Sequence, residues 1–143
     1  MATTLPPPGA DDVLYVIDLS SYVLRAYHAI TPLSSPSGEP SHAVFGTMTM
    51  LERLLRDRQP GLLAVALDAG RDTFRRDLYP EYKANRPPAP EDLRVQFARC
   101  EQLVAAMGIT TFQHHGAEAD DVIATLVARA QATQLKVDRK SVV

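Results

Sequence analysis

Five acidic residues lie where strand-like segments of the sequence end or where a helical pattern begins. They are Asp18, Asp68, Glu118, Asp120 and Asp121. The carboxyl ends of parallel strands meet at one edge of a sheet, and ligands bind there. Carboxylates from three separate segments of the chain are therefore expected to lie close together.

Such a cluster of carboxylates is typical of a site for divalent cations. Like charges held together repel one another unless cations neutralise them, and ligand sets made only of oxygen atoms suit Mg²⁺ or Mn²⁺. Two bound ions could activate a water and stabilise charge on a phosphate under attack, which is the chemistry of phosphodiester cleavage. A simpler interpretation remains open, because acids in the first turn of a helix offset its dipole and aspartate after a strand often forms a turn.

The segment 70–90 interleaves basic and aromatic side chains. These residues are Arg71, Phe74, Arg75, Arg76, Tyr79, Tyr82, Lys83 and Arg86. Arg and Lys neutralise phosphates while aromatic rings stack on unpaired bases, so the mixture favours a surface for single-stranded nucleic acid. A connection of this length is usually functional or mobile. The alternative, a solvated loop with ordinary surface charge, also remains open.

The elements that must position these residues alternate between strand and helix. Apolar runs at 13–17, 62–67, 109–112 and 135–137 predict strands of a buried parallel sheet. Helical spacing predicts helices with one buried face, defined by Val44, Met48, Leu51 and Leu55; by Leu93, Phe97, Cys100, Val104 and Met107; and by Val122, Ile123, Leu126, Val127 and Ala130. The alternation predicts an α/β fold with a mainly parallel twisted sheet and flanking helices.

The bulk composition narrows the class of protein. With 143 residues, 45% hydrophobic content and a net charge of −2, the sequence predicts one soluble domain without the overall basic charge of a simple phosphate binder. It carries neither a long apolar run nor a signal peptide, so we expect no membrane association and a cytoplasmic location. Cys100 is expected to be a small core residue, and Ser20 and Ser21 to cap a helix.

Four strings of the sequence resemble, in order and spacing, the opening half of the 5′-nuclease domain of bacterial DNA polymerase I and its stand-alone relatives. They are VIDLSSYVLRAYHA, GEPSHAVFGTMTML, LLAVALDAGRDTFRRDLYPEYKANRPPAPEDLRVQ and GAEADDVIATLVARAQ. The string YPEYKANRP followed by EADD is the most specific signal. The resemblance covers about residues 14–134. It implies a PIN-like, resolvase-like fold and a 5′→3′ exonuclease or flap endonuclease of DNA replication and repair.

The resemblance also implies roles for single residues. The five acidic residues match family carboxylates that hold two Mg²⁺ or Mn²⁺ ions, with Asp120 and Asp121 as the central pair. Lys83 and Arg86 match basic residues at the base of a helical arch, where they contact the scissile phosphate. The residues expected to bind DNA are Arg25, Tyr27, Arg75, Tyr82, Lys83 and Arg86. The implied partner is DNA with a free 5′ end or a 5′ flap, in the nucleoid.

The resemblance ends where the sequence reads LKVDRKSVV. Family members continue into a TADKD-like strand, a helix-hairpin-helix unit and an Asp-rich metal segment, so the fold is expected to be truncated before that unit. We expect a disordered leader over 1–12, the N-terminal part of a 5′-nuclease domain over 13–137 and a non-native tail over 138–143. The tail assignment rests on the likeness of this hexapeptide to the translation of a sequencing adapter. The intact protein is expected to be a monomer, with a covalently linked polymerase domain as its partner in the full-length gene. The fragment alone is expected to be inactive, to fold poorly and to aggregate.

Two other functions fit the same residues. A PIN-type ribonuclease uses a similar sheet with four acids, although compact PIN domains do not need the YKANRP segment. A non-catalytic nucleic-acid-binding module would bind DNA without any dependence on Mg²⁺.

Overall fold

Four parallel strands form one sheet in the order β3-β2-β1-β4. The computed structural model describes residues 5–69, 78, 79, 81 and 87–140. The strands are β1 (Val13–Asp18), β2 (Leu62–Ala66), β3 (Thr110–Phe112) and β4 (Lys136–Lys140). The predicted parallel α/β sheet is therefore confirmed, with β1 and β2 at its centre.

Helices follow the strands at the predicted places. They are α1 (Leu19–Ala29), α2 (His42–Arg58), α3 (Glu91–Ala106) and α4 (Ala119–Ala132). Among the described residues, none of these helices is long and apolar enough to cross a membrane.

The helices cover both faces of the sheet. On one face α1, α2 and α3 pack against Val13, Tyr15 and Ile17 of β1. On the other face α4 packs against Val16 of β1 and Ala66 of β2. A central strand covered on both sides must be apolar at every position, which explains the continuous apolar run from residue 13 to residue 17.

The buried face of α2 differs from the predicted one. Of the four apolar positions used for the prediction, only Leu51 is fully buried, while His42, Ala43, Gly46, Thr47 and Leu54 are also buried. The reason is close helix contact. A Cβ atom at Gly46 would lie 2.6 Å from Cβ of Ala26 in α1 and 2.5 Å from Cδ1 of Ile30. Small residues therefore face α1, and the large apolar residues used for the prediction lie at one side of the buried face, where Val44, Met48 and Leu55 are only partly buried.

The two ends of the described chain make backbone contacts with the domain. The Gly9 amide donates to the Arg58 carbonyl over 2.9 Å, and the Lys136 amide donates to the Asp12 carbonyl over 2.9 Å. Strand β4 includes residues 138–140, which pair with β1. Backbone pairing depends little on side-chain identity, so a native and a non-native segment could both pair in this way. The non-native origin of 138–143 therefore stays a prediction. The predicted domain bounds also stay a prediction.

Candidate functional site

The ends of β1 and β2 bring acidic side chains to one edge of the sheet. Asp18 is the last residue of β1 and pairs in register with Ala66, the last residue of β2, two residues before Asp68. Burial raises the pKa of Asp18, and the negative charges of Asp68 and Asp120 raise it further. Three of the five predicted carboxylates therefore lie within electrostatic range of one another.

The Asp68 carboxylate is held by two different elements. Its Oδ2 accepts a hydrogen bond of 2.6 Å from the Ser20 hydroxyl of α1, and its Oδ1 accepts one of 2.7 Å from the Ala119 amide of α4. The Gln113 side-chain amide donates to the Asp68 carbonyl over 2.6 Å. Although Asp68 follows its strand in an exposed loop, its position is fixed by α1, α4 and the loop after β3.

Asp18 is bonded on one carboxylate oxygen and not on the other. Its Oδ2 accepts a hydrogen bond of 3.2 Å from the Ser21 hydroxyl, while its Oδ1 is buried and has no hydrogen-bond partner. Unbonded buried oxygens are rare and costly in folded proteins. This oxygen is therefore the strongest local sign that the edge of the sheet accommodates a cation.

The structure corrects the prediction that Ser20 and Ser21 cap a helix. Asp18 is the N-cap residue of α1, and both serines lie inside the first turn of the helix. Their hydroxyls are directed to the carboxylates of Asp68 and Asp18 instead of to backbone amides of α1. The sequence carries no signal for these contacts, because they depend on how α1 packs beside β2.

Glu118 and Asp121 form a capping box at the start of α4. The Glu118 amide donates to the Asp121 carboxylate over 3.0 Å, and the Glu118 side chain accepts a hydrogen bond from the Asp121 amide. The capping interpretation therefore holds for these two residues. Asp120, between them in the first turn of α4, is exposed.

The carboxylate oxygens at this edge are ligands that suit a hard divalent cation, although they do not surround a cation site. In the part of the chain that the structure describes, no group of three or more His, Cys, Asp or Glu side chains could hold a metal ion. Mg²⁺ commonly keeps several waters and uses one or two protein carboxylates. The unbonded Oδ1 of Asp18, beside the charges of Asp68 and Asp120, fits that mode of binding.

Tyr27 lies at a junction of three helices. Its hydroxyl donates to both carboxylate oxygens of Asp92 in α3, over 3.0 and 3.1 Å, and its ring centroid lies 5.1 Å from that of His42 in α2. The hydrogen bond to Asp92 raises the pKa of Tyr27. Gln96 completes the junction, because its Oε1 accepts from the Ala43 amide over 2.5 Å. Sequence reasoning missed this junction, although a polar Gln96 on the apolar face of α3 was a visible signal.

The other predicted DNA contacts are only partly described. Arg25 is exposed on α1 and lines a shallow surface pocket with Ser21, Leu24 and His28. Arg75, Tyr82, Lys83 and Arg86 lie outside the described residues.

Comparisons with known proteins agree on one family. The model of the 5′-3′ exonuclease N-terminal resolvase-like domain matches residues 13–141. The chain is 46% identical over 119 residues to DNA polymerase I of Pseudomonas aeruginosa, covering 83% of this chain and 13% of that protein. It is 39% identical over 124 residues to a 5′-3′ exonuclease of Aquifex aeolicus, covering 87% of this chain and 43% of that protein. The chain thus spans less than half the length of these two relatives.

Solved structures share the fold. The flap endonuclease of bacteriophage T5, in a complex with DNA and metal ions, superimposes with a TM-score of 0.60 at 22% identity, covering 85% of this chain and 45% of that one. The match supports the resolvase-like arrangement of sheet and helices.

Proposed function

Because this chain belongs to the 5′-3′ exonuclease N-terminal resolvase-like family, we propose that it supplies the carboxylate edge of a metal-dependent nuclease. The reaction is hydrolysis of DNA phosphodiester bonds by 5′→3′ exonuclease or flap endonuclease action in replication and repair. One observation carries the proposal within this family. Asp18 at the end of β1 has a buried, unbonded carboxylate oxygen beside the charges of Asp68 and Asp120.

The proposed cofactors are two Mg²⁺ or Mn²⁺ ions. Asp18, Asp68 and Asp120 would hold them through carboxylate oxygens, and Glu118 at the N-cap of α4 and Asp121 in its first turn would contribute in addition to forming the capping box. When bound, such ions supply an activated water and charge stabilisation at the phosphate. The contribution of the chain is to hold these carboxylates at one edge of a rigid sheet. The zinc ions bound to bacteriophage T5 5′-exonuclease, which shares this fold, support a site for divalent metal ions.

The proposed substrate is DNA with a free 5′ end or a 5′ flap. Lys83 and Arg86, with Arg75 and Tyr82, bind the 5′ strand through phosphate contacts and stacking. Arg25, exposed on α1 next to Ser21, binds the DNA end near the carboxylates. A polymerase domain on the same polypeptide is the proposed partner, as in the Pseudomonas aeruginosa relative.

The carboxylate assignment is tested by Asp120→Asn in the chain completed with the C-terminal part of a relative. We expect Mg²⁺-dependent cleavage of a 5′-flap DNA to fall by about 100-fold or more, because the ions lose a ligand, while flap binding stays within about twofold. The matched control is Glu91→Gln, which removes an exposed first-turn acid from α3. Near wild-type cleavage by Asp120→Asn would remove Asp120 from the site. Preferred cleavage of single-stranded RNA by the unmodified enzyme would favour the ribonuclease alternative.

The DNA assignment is tested by Lys83→Ala and Arg86→Ala in the same completed enzyme. Each change removes one phosphate contact, so flap binding should weaken and the slope of log affinity against log salt should become shallower by about one. Arg53→Ala is the control, because Arg53 is an exposed base on α2 with an ordinary surface ion pair. Unchanged flap affinity and turnover in both variants would make the segment 70–90 an ordinary loop.

A further inference from the structure

Two consecutive serines at the start of α1 each donate to a different strand-end carboxylate. Ser20 donates to Asp68 over 2.6 Å, and Ser21 donates to Asp18 over 3.2 Å. Successive residues of an α-helix project about 100° apart, so adjacent side chains can reach two neighbouring strands. One turn of α1 therefore contacts the ends of both β1 and β2.

The contact between Ser20 and Asp68 is the stronger of the two. Its 2.6 Å length lies in the range of a charge-assisted O–H···O⁻ hydrogen bond. With the Ala119 amide on the other oxygen, the carboxylate plane of Asp68 is held from α1 on one side and from α4 on the other. Removal of the Ser20 hydroxyl leaves one hydrogen bond, about which the Asp68 carboxylate can turn.

The contact between Ser21 and Asp18 determines which oxygen of Asp18 stays unbonded. Ser21 occupies Oδ2, and the buried Oδ1 is left without a partner. A buried, unbonded oxygen on a half-buried carboxylate costs stability that a cation would restore. The burial of this oxygen does not depend on the serine contacts, and it indicates the same ligand, a divalent cation.

Neither serine caps the helix that contains it. α1 has no side-chain hydrogen bond at its N-cap, and serine is a poorer helix former than alanine. Replacement of either serine by alanine should therefore leave the metal-free fold about as stable as before. The roles of the hydroxyls in folding and in cation binding can be separated experimentally.

We infer that Ser20 and Ser21 are positioning residues that hold Asp68 and Asp18, respectively, in the orientation that receives a divalent cation. This inference rests on the proposed function of the carboxylate edge. The serines do not touch the cation. They fix the carboxylates in advance, so that less orientational freedom is lost when the ion binds.

The test measures Mn²⁺ binding by electron paramagnetic resonance, on the 143-residue chain and on the completed enzyme. Ser20→Ala should raise the Mn²⁺ dissociation constant by about 10-fold, the usual effect of removing a hydrogen bond to a metal ligand. Ser21→Ala should raise it less, since its contact is longer. Ser20→Thr keeps the hydroxyl and should bind like wild type. Thr49→Ala is the matched control, because the Thr49 hydroxyl of α2 donates only to its own helix, at the Phe45 carbonyl.

Thermal unfolding provides the second measurement. Without metal, Ser20→Ala should lower the Tm only slightly, because the Ser20–Asp68 hydrogen bond lies at an exposed site, and saturating Mn²⁺ should raise the Tm of this variant less than it raises the wild-type value. Wild-type Mn²⁺ affinity in both alanine variants would overturn the inference and leave the metal site intact. If the wild-type completed enzyme binds Mn²⁺ no better than its Asp120→Asn variant, the proposed metal site itself fails, and the inference fails with it.

Discussion

At the scale of single residues, the half-buried Asp18 carboxylate has a pKa above its ordinary value of 3.8, chiefly because of burial. Between the ordinary and the raised pKa, the folded chain binds more protons than the unfolded chain. Stability therefore falls as pH rises through this interval, and the loss persists at neutral pH. The groups that face Asp18 are Asp68 and Asp120, which increase this loss, and Ser21, which reduces it.

Asp18→Asn should therefore raise the Tm at pH 7 in the presence of a chelator. Asparagine caps a helix as well as aspartate does, so α1 should start at the same residue. The gain in Tm should shrink as pH is lowered toward 3.8, because Asp18 of the folded wild-type chain then becomes protonated and is neutral like the asparagine of the variant. Calorimetry between pH 3 and pH 8 tests this prediction. The control is Asp57→Asn, because Asp57 is an exposed residue of α2. A lower Tm for Asp18→Asn at pH 7 would contradict the burial argument.

Single residues at the site could be predicted to different degrees. The strand-end positions of Asp18 and Asp68 follow from sequence, because an apolar run determines where a buried strand stops. The contacts of Ser20 and Ser21 could not be predicted, since each hydroxyl finds its acceptor only after two strands and a helix have packed together. Local sequence favours a capping role for such serines, and tertiary packing overrides it.

At the scale of elements, the Tyr27 junction ties α1 to the first turn of α3. Asp92 and Gln96 belong to the first two turns of α3, which follows the segment 70–90. Asp92 accepts from Tyr27, while Gln96 bonds the Ala43 amide at the start of α2. The three helices on this face of the sheet are thereby fixed to one another through the part of α3 that directly follows, in sequence, the segment proposed to bind DNA.

Tyr27→Phe should lower the Tm by about 2 °C, because the Asp92 carboxylate loses its partner in a partly buried position. Tyr79→Phe is the matched control for the Tm alone, since the Tyr79 hydroxyl bonds the Glu81 carboxylate at an exposed site and should contribute little to stability. Calorimetry on both variants, with flap binding by the completed enzyme, separates two roles for Tyr27. If Tyr27→Phe weakens flap binding and leaves the Tm unchanged, the result would support a contact between Tyr27 and DNA, as the family resemblance implies. It would contradict a structural role for the Tyr27 hydrogen bond to Asp92.

Strands β1 and β2 and helices α3 and α4 were predictable because each carries its own apolar run or period, whereas β3 (TTF) and β4 (KVDRK) are largely polar. The buried face of α2 could not be predicted in this way, because a Cβ atom at Gly46 would overlap Ala26 and Ile30 of the neighbouring segment. Apolar spacing measures where large side chains lie, whereas close packing of two helices selects small ones. Element boundaries thus follow from local sequence, and helix-to-helix contacts do not.

At the scale of the whole molecule, β3 is an edge strand of the sheet that the described residues form. All three residues of β3 are exposed, including Phe112 with 39% of its surface accessible. Exposed strand edges and apolar side chains favour association with other chains. The chain also spans 43% of the Aquifex aeolicus exonuclease, so more than half of that relative has no counterpart here.

The 143-residue chain alone should therefore lack appreciable nuclease activity and should associate at micromolar concentration. Within the described ranges its carboxylates do not assemble a group of three or more metal-ligating side chains, so a second ion would be bound loosely and the two-ion arrangement would be incomplete. The measurements are the Tm, the monomer fraction by analytical ultracentrifugation, and cleavage of a 5′-flap DNA with Mg²⁺ or Mn²⁺. The completed enzyme serves as the positive control, and its Asp120→Asn variant as the negative one. A monomeric chain with a cooperative transition and metal-dependent flap cleavage would overturn this prediction, because the carboxylate edge would then suffice for catalysis without ligands from elsewhere.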